Sequence, residues 1–352
     1  MSNPYGGWPP PDFDASAYQH PGAPVPAGPV GPALPAGSLE YHLIQRAGAW
    51  GPSGWWRPVV GILTVALSFL FVPAVLAVAF LIGLVATGED LERATERITD
   101  TDNVTPLVLA FLNVSLAGLI PVCILLTLVL HRLRPGWLSS VRPRLRWRWM
   151  TLCLGLSFLA LLVTVVVAAV LPSAGDAGEM SGELNDWTTT TRDFVLVIVL
   201  LTPLQAAGEE YAFRGYLTQA FGGLFANLGP QVSRAAAVLL PAVLFALAHG
   251  AQDAPIFIDR LAFGLVAGVL VITTGGLEAG IAMHVLNNFL AYGVALAYSD
   301  MTTALNPTGG SWWQLPVTLT QSLAYLGLAT WAARRIGVAT ATSELEGPRP
   351  RV

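Results

Sequence analysis

Asp193-Phe194-Val195-Leu196-Val197-Ile198-Val199-Leu200-Leu201-Thr202-Pro203-Leu204-Gln205-Ala206-Ala207-Gly208-Glu209-Glu210-Tyr211-Ala212-Phe213-Arg214-Gly215-Tyr216-Leu217-Thr218-Gln219-Ala220-Phe221 is apolar for most of its length, then carries two acids and an arginine. A hydrocarbon core about 30 Å thick is crossed by about 20 residues of helix, and this run is long enough. Helix is the only open state for it, because a backbone in lipid must satisfy its own polar groups. A charge near mid-bilayer costs about 2.5–3.5 kcal/mol on insertion scales. Glu209, Glu210 and Arg214 therefore need a reason to be there.

The same criterion, applied outward, marks eight spans: 59–86, 106–130, 150–171, 193–221, 235–250, 256–273, 277–298 and 313–333. The gap from Ala251 to Pro255 reads as a re-entrant turn. The expected fold is all-α, a polytopic membrane protein with about eight transmembrane helices in one bundle. Composition agrees: of 352 residues, 54% are hydrophobic and 11% charged, against about 25% charged in a soluble domain. Mean hydropathy is +0.60. A net charge of −4, with every base an arginine, argues against a nucleic-acid partner. Cys123 and Cys153 sit in apolar runs without a CxxC or a Cys/His cluster, which argues against a disulfide framework or a thiolate zinc site.

Residues 1–57 read as a disordered, Pro/Gly-rich cytoplasmic tail, and 58–190 as a three-helix part of the bundle. Residues 191–298 hold the polar motifs, and 299–352 the last helix with a short cytoplasmic tail. The first apolar run starts near Val59, so no signal peptide is read. The loop between spans two and three carries Arg132, Arg134, Arg142, Arg144, Arg146 and Arg148 without an acid, which makes it cytoplasmic. Loop 87–105 is acidic and belongs outside. A multi-pass protein of the cell membrane with both termini cytoplasmic follows. Trp55, Trp56, Trp137, Trp147, Trp149, Trp312 and Trp313 fall at span ends, as an interfacial belt would.

Spans one to three are bare of ionisable groups apart from His131 at an end, whereas spans four to seven hold almost all of them. Glu210 and Arg214 are four apart with the acid first, the favourable order for a same-face pair. Glu209, about 100° round the helix, has no partner on its own helix and is free to meet something across the bundle. Phe245 and His249 are four apart, as are His284 and Asn288, so each pair projects into one space. Asn287 lies on another face and reads as a helix-packing hydrogen bonder. Asp259 and Arg260 read as a paired or snorkelling couple near a span end. Depths counted from the span ends place Glu209 and His249 at one level and His284 up to about two turns shallower.

A carboxylate beside an imidazole can orient and deprotonate water. A second histidine with an amide can stabilise an oxyanion. Together these suffice for peptide hydrolysis without a covalent intermediate. Glu209, His249 and His284 can instead ligate a divalent metal such as zinc that activates the water. Spacing alone does not choose between the two schemes.

At these residues the chain resembles the CPBP family of intramembrane proteases, which includes type II CAAX prenyl endopeptidases and bacteriocin-processing or immunity proteins. Its pattern, EExxxR, FxxxH, then HxxxN or HxxxD on successive membrane helices, stands here as Glu209-Glu210-x-x-x-Arg214, Phe245-x-x-x-His249 and His284-x-x-x-Asn288. The resemblance covers about 193–295. It implies that Glu209 and His249 activate water, that His284 and Asn288 form the oxyanion site, and that Glu210 and Arg214 support the architecture. The favoured carboxylate–imidazole scheme requires no cofactor. The expected partners are a peptide or protein substrate in the membrane and the bilayer itself, with a non-catalytic immunity or scaffold protein as the alternative. There is no HExxH and no GxGD; a GxSG at Gly51-Pro52-Ser53-Gly54 precedes the first span and reads as chance.

Overall fold

The computed structural model describes residues 37–48, 54–170, 183–250, 253–307 and 310–343. Among these no sheet strand occurs, and seven helices are long and apolar enough to cross a membrane by length and composition. The protein is an all-α polytopic membrane protein. The first helix, α1 (Trp56–Ala86), leaves Leu63, Leu67, Leu70, Phe71, Val75 and Val78 exposed along its length. Lipid is the solvent that suits such a surface.

A short amphipathic helix, α2 (Leu91–Thr99), follows, and then α3 (Pro106–Ala117) and α4 (Leu119–Val129) continue one another as a single span. The turn α5 (Gly136–Ser139) leads to α6 (Trp147–Val170). The decisive helix, α7 (Thr189–Glu210), starts with a capping box in which Thr188 and Thr191 satisfy each other's backbone. It passes without a break into a π-helical stretch, Tyr211–Leu217, and then α8 (Thr218–Phe225). Next come α9 (Pro230–Ala248), α10 (Ala254–Thr274), α11 (Glu278–Tyr298), the short α12 (Met301–Leu305) and α13 (Gln314–Ile336). The span expected at 313–333 is thus helical but is not among the seven. Gln321 and Ser322 lower its hydropathy, and both are buried against the bundle beside Tyr325.

The loops sort to two ends. At one end, Val104 N–H donates to Thr302 Oγ1 (3.0 Å), Asn306 Nδ2 to Thr101 O (2.7 Å) and Asn185 Nδ2 to Ser299 O (2.7 Å). At the other, Leu277 N–H donates to Ser139 O and Val141 N–H to Gly275 O, each at 2.9 Å. Arg146 there grips Glu278 through Nε and Nη2 (2.8 and 2.7 Å) and also donates to Ala339 O and Thr274 O.

Two expectations change here. Residues 37–48 are not part of a disordered tail: Tyr41–Ala47 form a 3-10 helix with Tyr41 and Ile44 fully buried, and Leu39 N–H donates to Thr342 Oγ1 at 2.9 Å. The Pro/Gly-rich average of the region conceals one segment with enough apolar surface to offset its ordering entropy. Residues 1–36 lie outside the described residues, as do Ala251 and Gln252 of the expected re-entrant turn and the first three residues of GxSG. Trp137 and Trp149 are buried and belong to the core, so the aromatic belt is limited to exposed tryptophans such as Trp55, Trp147 and Trp312.

Candidate active site

Where α7 crosses α3 and α4, a Cβ at Gly208 would stand 2.1 Å from Leu116 O. Only glycine permits this approach, and it brings the following residues, Glu209 and Glu210, into the middle of the bundle. The π-helical turn begins at Tyr211, just after the two acids. Its wider hydrogen-bond step re-aims the side chains after it, a device common at functional sites.

Glu210 and Arg214 are paired at 2.8 Å, and both are buried. The Arg214 guanidinium also lies 4.2 Å from the centroid of the Phe245 ring, a cation–π contact in a dry setting. The pair is incompletely bonded: Glu210 Oε2 and Arg214 Nε and Nη2 have no partner among the described residues. Glu210 Oε2 instead faces α11, where a Cβ at Gly280 would approach it to 2.6 Å.

His284 stands between the two acids. Its Nδ1 is 3.0 Å from Glu210 Oε1 and its Nε2 is 3.2 Å from Glu209 Oε2. With both carboxylates ionised, each ring nitrogen carries a proton, so the ring is an imidazolium. Glu209, Glu210, His284 and Arg214 then sum to zero charge, which is how four ionised groups can be tolerated at this depth.

Glu209 does have a partner on its own helix: Gln205 Nε2, one turn earlier, donates to Glu209 Oε2 at 2.7 Å. Gln205 Oε1 in turn accepts from Asn288 Nδ2 at 3.0 Å. The sequence reading missed Gln205, although its four-residue spacing from Glu209 is the spacing used to pair Glu210 with Arg214. Both protein donors meet Oε2, and Oε1 is the oxygen left for a water. His249 ends α9, and its Nδ1 lies 2.8 Å from Phe245 O. A carbonyl only accepts, so Nδ1 carries the proton, and in the neutral ring the lone pair is on Nε2.

These groups share a cavity of about 380 Å³ lined by Gln205, Glu209, His249, His284 and Asn288, with Phe69, Leu112 and Leu116 on its apolar wall. Asn287, expected on another face, lines it as well, as do Arg260 and Tyr292. Arg260 is paired with Asp259 at 3.2 Å. The expectation of a shallower His284 is corrected by its contact with Glu209. Counting residues along each helix assumes that the helices start at one level, and the 3.2 Å contact shows that α7 and α11 do not.

As metal ligands, Glu209, His249 and His284 fit poorly. A ligating imidazole offers a lone pair, but both nitrogens of His284 are engaged by carboxylate oxygens, at 3.0 and 3.2 Å. Among the described residues no three His, Cys, Asp or Glu side chains converge as a metal set.

Residues 191–290 match the family model described as type II CAAX prenyl endopeptidase Rce1-like. This segment contains all three motifs. The chain is also similar to the uncharacterized protein YyaK of Bacillus subtilis (strain 168), 25% identical over 207 residues. That alignment covers 55% of this chain and 65% of the relative, a little under two thirds of its length. No solved structure matches.

Proposed function

We propose, from the premise that residues 191–290 form an Rce1-like domain of the CPBP family, that this chain is an intramembrane endopeptidase. It hydrolyses a peptide bond of a membrane-associated protein or peptide. The observation that carries the reading is the sharing of one half-apolar cavity by the Glu209 carboxylate and the His249 imidazole.

In this scheme a water sits between Glu209 Oε1 and His249 Nε2, both acceptors. As its oxygen attacks the carbonyl carbon, a C–O bond forms and its proton passes to this base pair. Collapse of the tetrahedral intermediate breaks the C–N bond, and the proton leaves with the departing amine. Gln205 and His284 hold Glu209 in place through two hydrogen bonds to its other oxygen. The oxyanion is met by the amide hydrogen of Asn288 that Gln205 does not use. His284, whose N–H groups are directed at the acids, contributes positive charge rather than a hydrogen bond. That refines the role carried by the family resemblance, in which both His284 and Asn288 donate.

The test is Glu209→Gln. New N-termini in the membrane proteome of cells making the wild-type chain should fall by about 10²–10⁴-fold in the variant, the range for loss of a general base. The purified variant should keep its helical circular dichroism. Identical sets of new N-termini from the two strains would refute the proposal.

A further inference from the structure

The cavity is asymmetric along the bundle. Its floor, Gln205, Glu209 and His284, is buried, and His284 lies only six residues, about 9 Å of helix, beyond Glu278 at the arginine-rich end. Its rim is formed by Ala248, His249, Ile256, Ala304 and Pro307, among which Ala248 and His249 are exposed. Ala304 and Pro307 belong to the α12 region. The bonds of Thr302 to Val104 and of Asn306 to Thr101 place that region at the end bearing the acidic loop. The rim therefore lies at the end opposite the arginines.

The charge difference between the two ends is large. The arginine end gathers the 131–148 loop, Arg234 and the Arg334–Arg335 pair. The rim end has Arg93, Arg97 and Arg192 amid Glu89, Asp90, Glu92, Glu96, Asp100 and Asp102, and Arg97 is itself paired with Glu89 at 2.6 Å. Short loops rich in arginine stay in the cytoplasm.

We infer that the cavity is entered from the non-cytoplasmic face of the membrane, so that its substrate is a peptide segment presented on that face rather than a cytoplasmic tail. This rests on the reading of the cavity as the hydrolytic site. Entry is measured here without turnover, so the two can fail separately.

The experiment is cysteine accessibility in a chain with Cys123→Ala and Cys153→Ala, using a membrane-impermeant maleimide on intact spheroplasts. Thr303→Cys, on the exposed side of α12, should react from outside, and Ala304→Cys, on the cavity rim, should react with it. Arg144→Cys, in the arginine loop, should react only after permeabilisation. Reaction of Arg144→Cys from outside with Thr303→Cys protected would overturn the inference. So would a reactive Thr303→Cys beside an Ala304→Cys that stays unlabelled, since the orientation would then hold while the rim was shut.

Discussion

Two arginine–glutamate pairs in this bundle have a fully buried acid. In the first, Glu278 receives Arg146 through its backbone N–H, Nε and Nη2, and two further guanidinium hydrogens go to Ala339 O and Thr274 O. In the second, Glu210 receives Arg214 at one oxygen, shares that oxygen with His284, and keeps the other bare. A buried ion pair offsets its desolvation only when its remaining lone pairs and protons are bonded. The first pair meets that condition and reads as a structural clamp across α6, α10, α11 and the chain end. The second does not. Its spare capacity lies beside the cavity, where Glu210 fixes the His284 ring against Glu209.

The comparison makes its largest demand on the clamp. Arg146→Ala leaves the Glu278 carboxylate buried and alone, so stability should drop by about 3–5 kcal/mol, the usual cost of halving a buried pair. Thermal unfolding in detergent measures this. A loss under 1 kcal/mol would show that the clamp is not what ties this end together.

A smaller effect is expected on the other side of the comparison. Gly280→Ala would place a methyl 2.6 Å from Glu210 Oε2, an oxygen that cannot swing away while Arg214 and His284 hold its partner. Overpacking of this kind costs about 1–3 kcal/mol, set against a gain in helix propensity of about 0.5–1 kcal/mol. Stability should fall modestly, and cleavage by more than the stability loss accounts for. Unchanged cleavage would mean that the position of Glu210 does not matter to the site.

A third pair sharpens the scale. Glu40 and Arg234 form a bidentate but largely solvent-accessible bridge at the arginine end. Such a pair is worth about 0–1 kcal/mol, and Arg234→Gln should barely move the melting temperature. The Arg234 hydrogen bond holds the Glu40 carboxyl below its usual range. Burial pushes the neighbouring His42 imidazole down from 6.5 to about 4. Both shifts disfavour protonation in the folded state. Their contribution is complete above about pH 6.5 and is lost as pH falls toward 4. Hydrogen exchange of Tyr41–Ala47, corrected for the intrinsic pH dependence, should therefore speed up across that window. Protection that stays constant from pH 7 to 4 would contradict it.

Much of this was legible in the sequence, for a definite reason. A run such as Asp193–Phe221 declares its state because the bilayer offers a backbone no alternative to helix. Spacing of four residues then brings Glu210 to Arg214. The same rule would have given Gln205 to Glu209, had the neutral amide been weighed with the charges. Contacts between distant segments left no such trace: Arg146 and Glu278 are 132 residues apart, and nothing in either neighbourhood names the other. His284 was legible as a cavity residue but not as a bridge between two acids, because its role depends on where α11 crosses α7. The π-helical turn has no local signal either, and residue counts along single helices carry no information on how one helix is shifted against the next.

The bridge from Leu39 and Glu40 to Ala341 and Thr342 joins two segments 303 residues apart. Arg146 likewise waits for Ala339. A ribosome releases Ala339 and Thr342 only after every helix that lines the cavity has been made. The floor beneath the cavity is therefore sealed after its walls, and a chain halted before Ala339 lacks the bonds that close it.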